Sequence, residues 1–391
     1  MYKYLENNLN SDKKPINNGT IESLGLQWAK KYLQNLDVDF HNDKSSDAQD
    51  FNQVISQAGR EITVQKLRAS MRTVSLQAWN KTEELLSKEV KRHRIKPEAI
   101  DPWEIAGDSF KIYEKALEVY TNFTPLHKQS TVIKLAPKKE SLSPDVSLRY
   151  TEQLAPTQLT KAISSSLGAL RRKYTQQDPK VIGFVSMQFH FTSQMLLQLL
   201  SHTEQKLLSN YFKVIDDHLY MPLQRAYNAA AKLDCDSLAL SAVQHLLPTS
   251  THIAKSITQK VIKLYPAYRC YSGNLNHKKV ITSSIRDVEM FQVYLWVCAL
   301  EGNISAIQQE LFPLCVMLYP TLKVSWEIIR QMLHLLGQEI SERLNTEQAN
   351  TLMPYFQVLW HMFSPEVFGE NNSGMDLNAY NERKSCKPLF A

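Results

Sequence analysis

From about residue 200 to residue 362 the chain repeats one arrangement. A run of 10 to 20 residues carries apolar side chains at helical spacing, then a proline or glycine interrupts it. Helices are expected over Ser237–Leu247, Ser250–Leu264, Ile285–Leu300, Ile304–Leu318, Ser325–Arg343 and Glu347–Met362, with breaks at Pro248, Pro266 with Gly273, Gly302-Asn303 and Pro320. Short connections and no obvious strand imply helices packed on helices, an all-α domain. The helix before these opens on Ser201-His202-Thr203-Glu204, a capping box in which hydroxyl and carboxylate satisfy free N–H groups of the first turn.

The N-terminal half is less regular. Residues 1–20 are rich in Asn, Lys and Ser and are expected to be disordered. Residues 21–180 form a helical region. It has an apolar stripe over 21–36, a long helical pattern from Phe51 to about Arg94, a helix over Ile105–Phe123 and another over Thr157–Tyr174. Residues 124–147, with three prolines, read as a linker inside it. The window 181–191, VIGFVSMQFHF, is aromatic and β-branched and looks most like a strand, although its pattern also continues into a helical run. It opens the second region, 181–363, which is followed by a polar tail at 364–391.

Around residue 290 the pattern becomes specific. Ser284, Arg286, Asp287, Glu289, Tyr294, Gly302 and Ser305 stand in the order Ser-Ile-Arg-Asp-Val-Glu, an apolar stretch with Tyr, then Gly-Asn before the next helix. This resembles the phycobiliprotein helix reading Cys-(Leu/Ile)-Arg-Asp, an acidic residue, an apolar run with Tyr, and Gly-Asp. Leu322-Lys-Val-Ser325-Trp326 is similar to the family's Leu-Ser-Pro-Ser-Trp, and Val261-Ile-Lys-Leu-Tyr265-Pro266 to the end of the helix before its bilin loop. The resemblance implies a globin-like, phycobiliprotein-like C-terminal domain. It also implies association with phycobilisome subunits or linkers, or a related assembly.

The departures are equally specific. Ser284 stands where the family has its bilin-attaching cysteine, Val293 where it has arginine, and Asn303 where it has aspartate. A serine hydroxyl is far less nucleophilic than a thiolate and forms no thioether. The expectation is therefore a domain with no covalent pigment and no resident cofactor, a non-covalently held bilin being the alternative. In that alternative Arg286 and Asp287 make the contacts that the resemblance implies: an aspartate accepts from pyrrole N–H groups and an arginine grips a propionate. The plainer reading is that Ser284-x-x-Asp287 caps the start of a helix. Cys270, in the preceding loop, lies where a tethered ligand would reach the same cleft; the plainer reading is an ordinary free thiol.

A third reading, a nucleic-acid-binding regulator, rests on two basic clusters. One contains Lys91, Arg92 and Arg94, the other Arg171 and Arg172. Both sit where helices end, and cations are favoured there by the helix dipole, so nucleic acid is the less favoured partner. The net charge of +6 on 391 residues is too small to argue otherwise. Five cysteines with no C-x-x-C pair exclude a zinc ribbon and point to a reducing, cytoplasmic compartment. No apolar run is long enough for a membrane-spanning helix, which leaves peripheral attachment at the thylakoid surface open. Asp216, Asp217 and His218 are consecutive on a helix and so diverge by about 100° each, which argues against one metal site. No nucleotide-binding, metalloprotease or hydrolase motif is present, so no enzyme activity is expected. The oligomeric state, a homo-oligomer included, stays open.

Overall fold

A computed structural model describes residues 24–25, 27–29, 31–32, 53–122 and 156–367. The expected disordered start at 1–20, the linker at 124–147 and the tail from 368 onward lie outside the described residues.

The N-terminal helices are α1 (Gln57–Arg92), α2 (Pro102–Thr121) and α3 (Pro156–Thr175). They are followed by α4 (Val181–Gln198), α5 (His202–Tyr220), α6 (Leu223–Ala230), α7 (Leu238–Leu246) and α8 (Ser250–Leu264). The last group is α9 (Lys278–Glu301), α10 (Phe312–Thr321), α11 (Trp326–Arg343) and α12 (Thr346–Met362). Between α8 and α9 runs a two-residue antiparallel ladder, Arg269 opposite Asn274 and Cys270 opposite Gly273. It is the one sheet among the described residues.

Most starts and stops follow local chemistry. Ser201 accepts from the Glu204 N–H while Glu204 accepts from the Ser201 N–H, the capping box the sequence announced. Asn345 and Gln348 repeat it at α12. Gly302 closes α9 in the left-handed region at φ +68, where a Cβ would be strained. Lys91 and Arg92 occupy the last turn of α1, where the carbonyl end of the dipole favours them.

Three expectations change. The strand-like window 181–191 is helical: α4 buries Val181, Ile182, Phe184, Val185 and Phe189 on several sides at once. A helix apolar all round loses the polar face that marks helical periodicity, so a short stretch of it passes for a buried strand. Second, α9 starts at Lys278, seven residues before Ile285, which places Ser284 and Asp287 inside the helix rather than at its cap. Third, the helix expected over 304–318 opens as a π-helix, Ala306–Leu311, before α10. Pro313 stands two residues beyond its end; having no N–H, it cannot supply the bond that a regular α-helix would require there.

Packing is continuous across residue 181. α4 lies against α1, α2, α3 and α5, and Gly183 lets α10 approach, since a Cβ there would stand 2.5 Å from the Met317 methyl. α9 is the central helix: every residue from Val288 to Leu300 is buried. Replacing Ser201 with alanine removes one cap of α5. The expected loss is about 1 kcal/mol, read as a lower urea midpoint at unchanged slope.

Candidate functional site

The first half of α9 forms one wall of a cavity of about 130 Å3. Val280, Ser283, Ser284, Arg286 and Asp287 come from α9, and Ile257, Thr258, Val261 and Ile262 from α8. Ile328, Ile329 and Met332 of α11 line it too, with Cys270 of the ladder and Tyr271 of its turn. Met187 and His190 of α4 and Tyr220 of α5 close another side. The ladder is held in place by the Tyr271 N–H donating to the Leu322 carbonyl at 2.9 Å and the Tyr268 hydroxyl donating to the Lys323 carbonyl at 2.8 Å.

Three of the sequence's candidates therefore share one cleft: Arg286, Asp287 and Cys270. Tyr220 accounts for much of their chemistry. Its hydroxyl donates to Asp287 Oδ1 at 2.9 Å, and its ring lies under the Arg286 guanidinium, 4.2 Å from the centroid. One Asp287 acceptor site is thus already taken by a protein donor, and the cation of Arg286 already rests on a π-face. Arg286 Nε is buried with no partner. Burial pushes the Asp287 carboxyl up to about 6, Arg286 and the Tyr220 hydroxyl pulling the other way. Burial likewise pushes the Cys270 thiol up to about 11, so it is a protonated, weakly nucleophilic thiol at neutral pH. His190 contacts Gln194 at 2.8 Å through Nε2, and its Nδ1 stands 3.9 Å from Asp216.

The basic clusters separate. Lys91, Arg92 and Arg94 are exposed at the end of α1, whose dipole favours them, and Arg172 is exposed on α3. Arg171 turns inward instead, 5% exposed, so it is no part of a partner surface. It donates to the Leu219 carbonyl and the Tyr294 hydroxyl, and to Glu310 at 3.2 Å. Arg225 shares Glu310 at 2.5 Å and grips both oxygens of Glu301 at 2.7 and 2.6 Å. This ionic group ties α3 to α6, α9 and the π-helix. In the sequence Arg171 looked like a helix-ending cation; nothing local distinguished it from Arg172.

A second buried group escaped the sequence reading. Glu289 of α9 pairs with Lys31 at 3.0 Å and accepts from the Thr251 hydroxyl at 2.5 Å. Lys213 of α5 meets Asp217 at 2.8 Å and stands 3.8 Å from Glu289. The Tyr32 hydroxyl also donates to Asp217 at 3.0 Å. The one local signal was the i, i+4 spacing of Lys213 and Asp217. Burial would raise the Glu289 carboxyl, but Lys31, Lys213 and the Thr251 hydroxyl outweigh it and hold the group at about 2. The triplet Asp216, Asp217 and His218 diverges as expected. Asp216 accepts from Ser193 at 3.1 Å, Asp217 faces Lys213, and His218 Nδ1 meets the Val214 carbonyl at 2.8 Å.

Residues 222–362, rather more than a third of the chain, match the family described as Phycobilisome protein. That segment, α6 to α12, is a phycobilisome protein domain, and its all-α, globin-like character is the one the sequence resemblance implied. No curated protein and no solved structure matches the chain.

Two outcomes check this description. Arg171→Ala leaves Glu310 and Tyr294 short of a buried donor and is expected to cost about 3–5 kcal/mol, while Arg172→Ala stays within about 0.5 kcal/mol, both by urea unfolding. Asp287 supplies a pH signature. Its folded value of about 6 lies above the ordinary 3.8, so between those values the folded chain keeps a proton that the unfolded chain has lost. Stability relative to Asp287→Asn therefore falls as pH rises from about 4 to about 6 and levels off above. Urea midpoints of the two proteins at pH 4, 5, 6 and 7 measure the difference.

Proposed function

We propose that this protein is a non-catalytic, phycobilisome-associated binding protein whose phycobilisome-type domain carries no pigment and serves association instead. The observation that carries the reading is the family match over residues 222–362. Three further observations support it. Ser284 lies on the cavity wall where the resemblance puts the pigment-bearing cysteine, and its hydroxyl forms no thioether. The Asp287 and Arg286 groups that would receive a bilin are engaged by Tyr220. The cavity, at about 130 Å3, is smaller than the roughly 300–1,000 Å3 of ordinary ligand pockets, which disfavours a tetrapyrrole as its occupant.

Association then falls to the domain's helical surfaces and to the exposed faces of α1–α3, with phycobilisome subunits or linkers as partners. No described helix is long and apolar enough to cross a membrane, so attachment at the thylakoid surface would run through that assembly. The non-catalytic reading follows the family.

Affinity capture with the full chain from a phycobilisome-containing lysate tests this. Recovery of phycobiliprotein or linker subunits is expected, and recovery of none of them overturns the reading. The non-covalent bilin alternative draws its support from Arg286 Nε, which is buried without a partner beside the cavity. Protein made in the presence of a bilin is expected to be colourless, with no spectral change on titration; a red-shifted, saturable band would favour the alternative.

A further inference from the structure

The described helical residues Leu24, Gly25, Gln27, Trp28, Ala29, Lys31 and Tyr32 sit on a face made by α5, α6 and α9. Leu24, Trp28, Ala29 and Tyr32 are each at most 2% exposed, and Lys31 is 4% exposed. Leu24, Trp28, Lys31 and Tyr32 follow at i, i+4, i+7 and i+8, one face of a helix. The Trp28 ring meets Trp296 of α9 edge-on, with centroids 6.1 Å apart. Trp28 Nε1 donates to the Tyr32 hydroxyl at 2.8 Å, which passes the chain on to Asp217. Lys31 lies over the Trp28 ring at 3.4 Å and pairs with Glu289.

The receiving face carries two carboxylates, Asp217 and Glu289, and one ammonium, Lys213. Lys31 brings the cluster, in which the Lys213 side chain is one-third exposed, to two charges of each sign. Without it the two carboxylates face a single ammonium in a largely apolar setting, which disfavours an occupant that brings no cation. The face therefore selects a helix that offers an aromatic residue, a cation three positions later and a hydroxyl-bearing ring next to it. We infer that this face is a docking surface for a lysine-bearing aromatic helix, and that the chain's own residues 24–32 occupy it as a displaceable latch. The latch covers Glu289, Trp296 and Tyr227 of the phycobilisome-type domain together with Asp217 of α5, so a partner helix of the same chemistry must compete with it. The biological use rests on the association reading above; the contact itself does not.

The test uses purified full-length chain with a protease site placed within residues 33–52 and a fluorophore near the N-terminus. After cleavage, the labelled segment is expected to co-elute with the body on size exclusion. Excess unlabelled peptide of residues 21–36 should displace it saturably. The same peptide with Lys31→Glu should need at least tenfold more, and so should one with Trp28→Ala. A body carrying Glu289→Lys should reverse the order of the wild-type and Lys31→Glu peptides; the peptide series decides the matter if that body does not fold. Loss of the segment on cleavage without saturable rebinding overturns the inference. So does equal competition by the wild-type and Lys31→Glu peptides, which would reduce the contact to unspecific apolar adhesion. Neither result depends on whether phycobilisome components are captured from a lysate.

Discussion

A helix buried on every side leaves its polar side chains no water to turn to, and α9 is such a helix from Val288 to Leu300. Several polar groups along it find partners on other elements, while Trp296 Nε1 and Gln292 Oε1 are buried without one. Glu289 reaches Lys31 and Thr251, and Gln292 donates to the Ser250 carbonyl at 3.1 Å. Tyr294 accepts from Arg171, and Glu301 is gripped by Arg225. Immediately before the buried stretch, Asp287 takes the Tyr220 hydroxyl. α9 thus fixes the positions of α3, α5, α6, α8 and the stretch at 24–32. Breaking such a buried pair costs far more than loss of an exposed one.

The same demand explains the cleft. Arg286 and Asp287 sit where α9 begins to emerge, close enough to the interior to need partners and open enough to line a cavity. Tyr220, from a helix that precedes the family match, supplies both the π-face and the hydroxyl donor. The N-terminal helices are therefore more than an attached module: α4 and α5 complete the wall of the cavity, and α3 supplies Arg171 to the ionic group at the π-helix.

Charge alone proved a poor guide to surface. Arg171 and Arg172 are neighbours with identical chemistry, yet one closes a buried network and the other faces solvent. Their 100° separation on α3, set against where Tyr294 and Glu310 happen to lie, makes the difference. Lys31 is a similar case: a lysine within the apolar stripe of 21–36 proves to pair with a buried carboxylate.

Local chemistry was legible wherever a few adjacent residues suffice to decide it. The capping box at Ser201, the left-handed stop at Gly302 and the succession of amphipathic helices follow from side chains meeting their own backbone or from apolar spacing. The family of the C-terminal domain was legible too, through Arg286, Asp287, Glu289 and Tyr294 in order. What Ser284 and Asp287 do was not, because a capping box and a mid-helix pair share the same four letters; the true start at Lys278 decides between them. Nor was α4 legible as a helix, since burial on several sides erases the period by which a helix is recognised. The partners of Asp287, Arg171 and Lys31 lie 67, 123 and more than 250 positions away. Sequence fixes which groups require a partner, but only the packing of distant helices determines which partner each one meets.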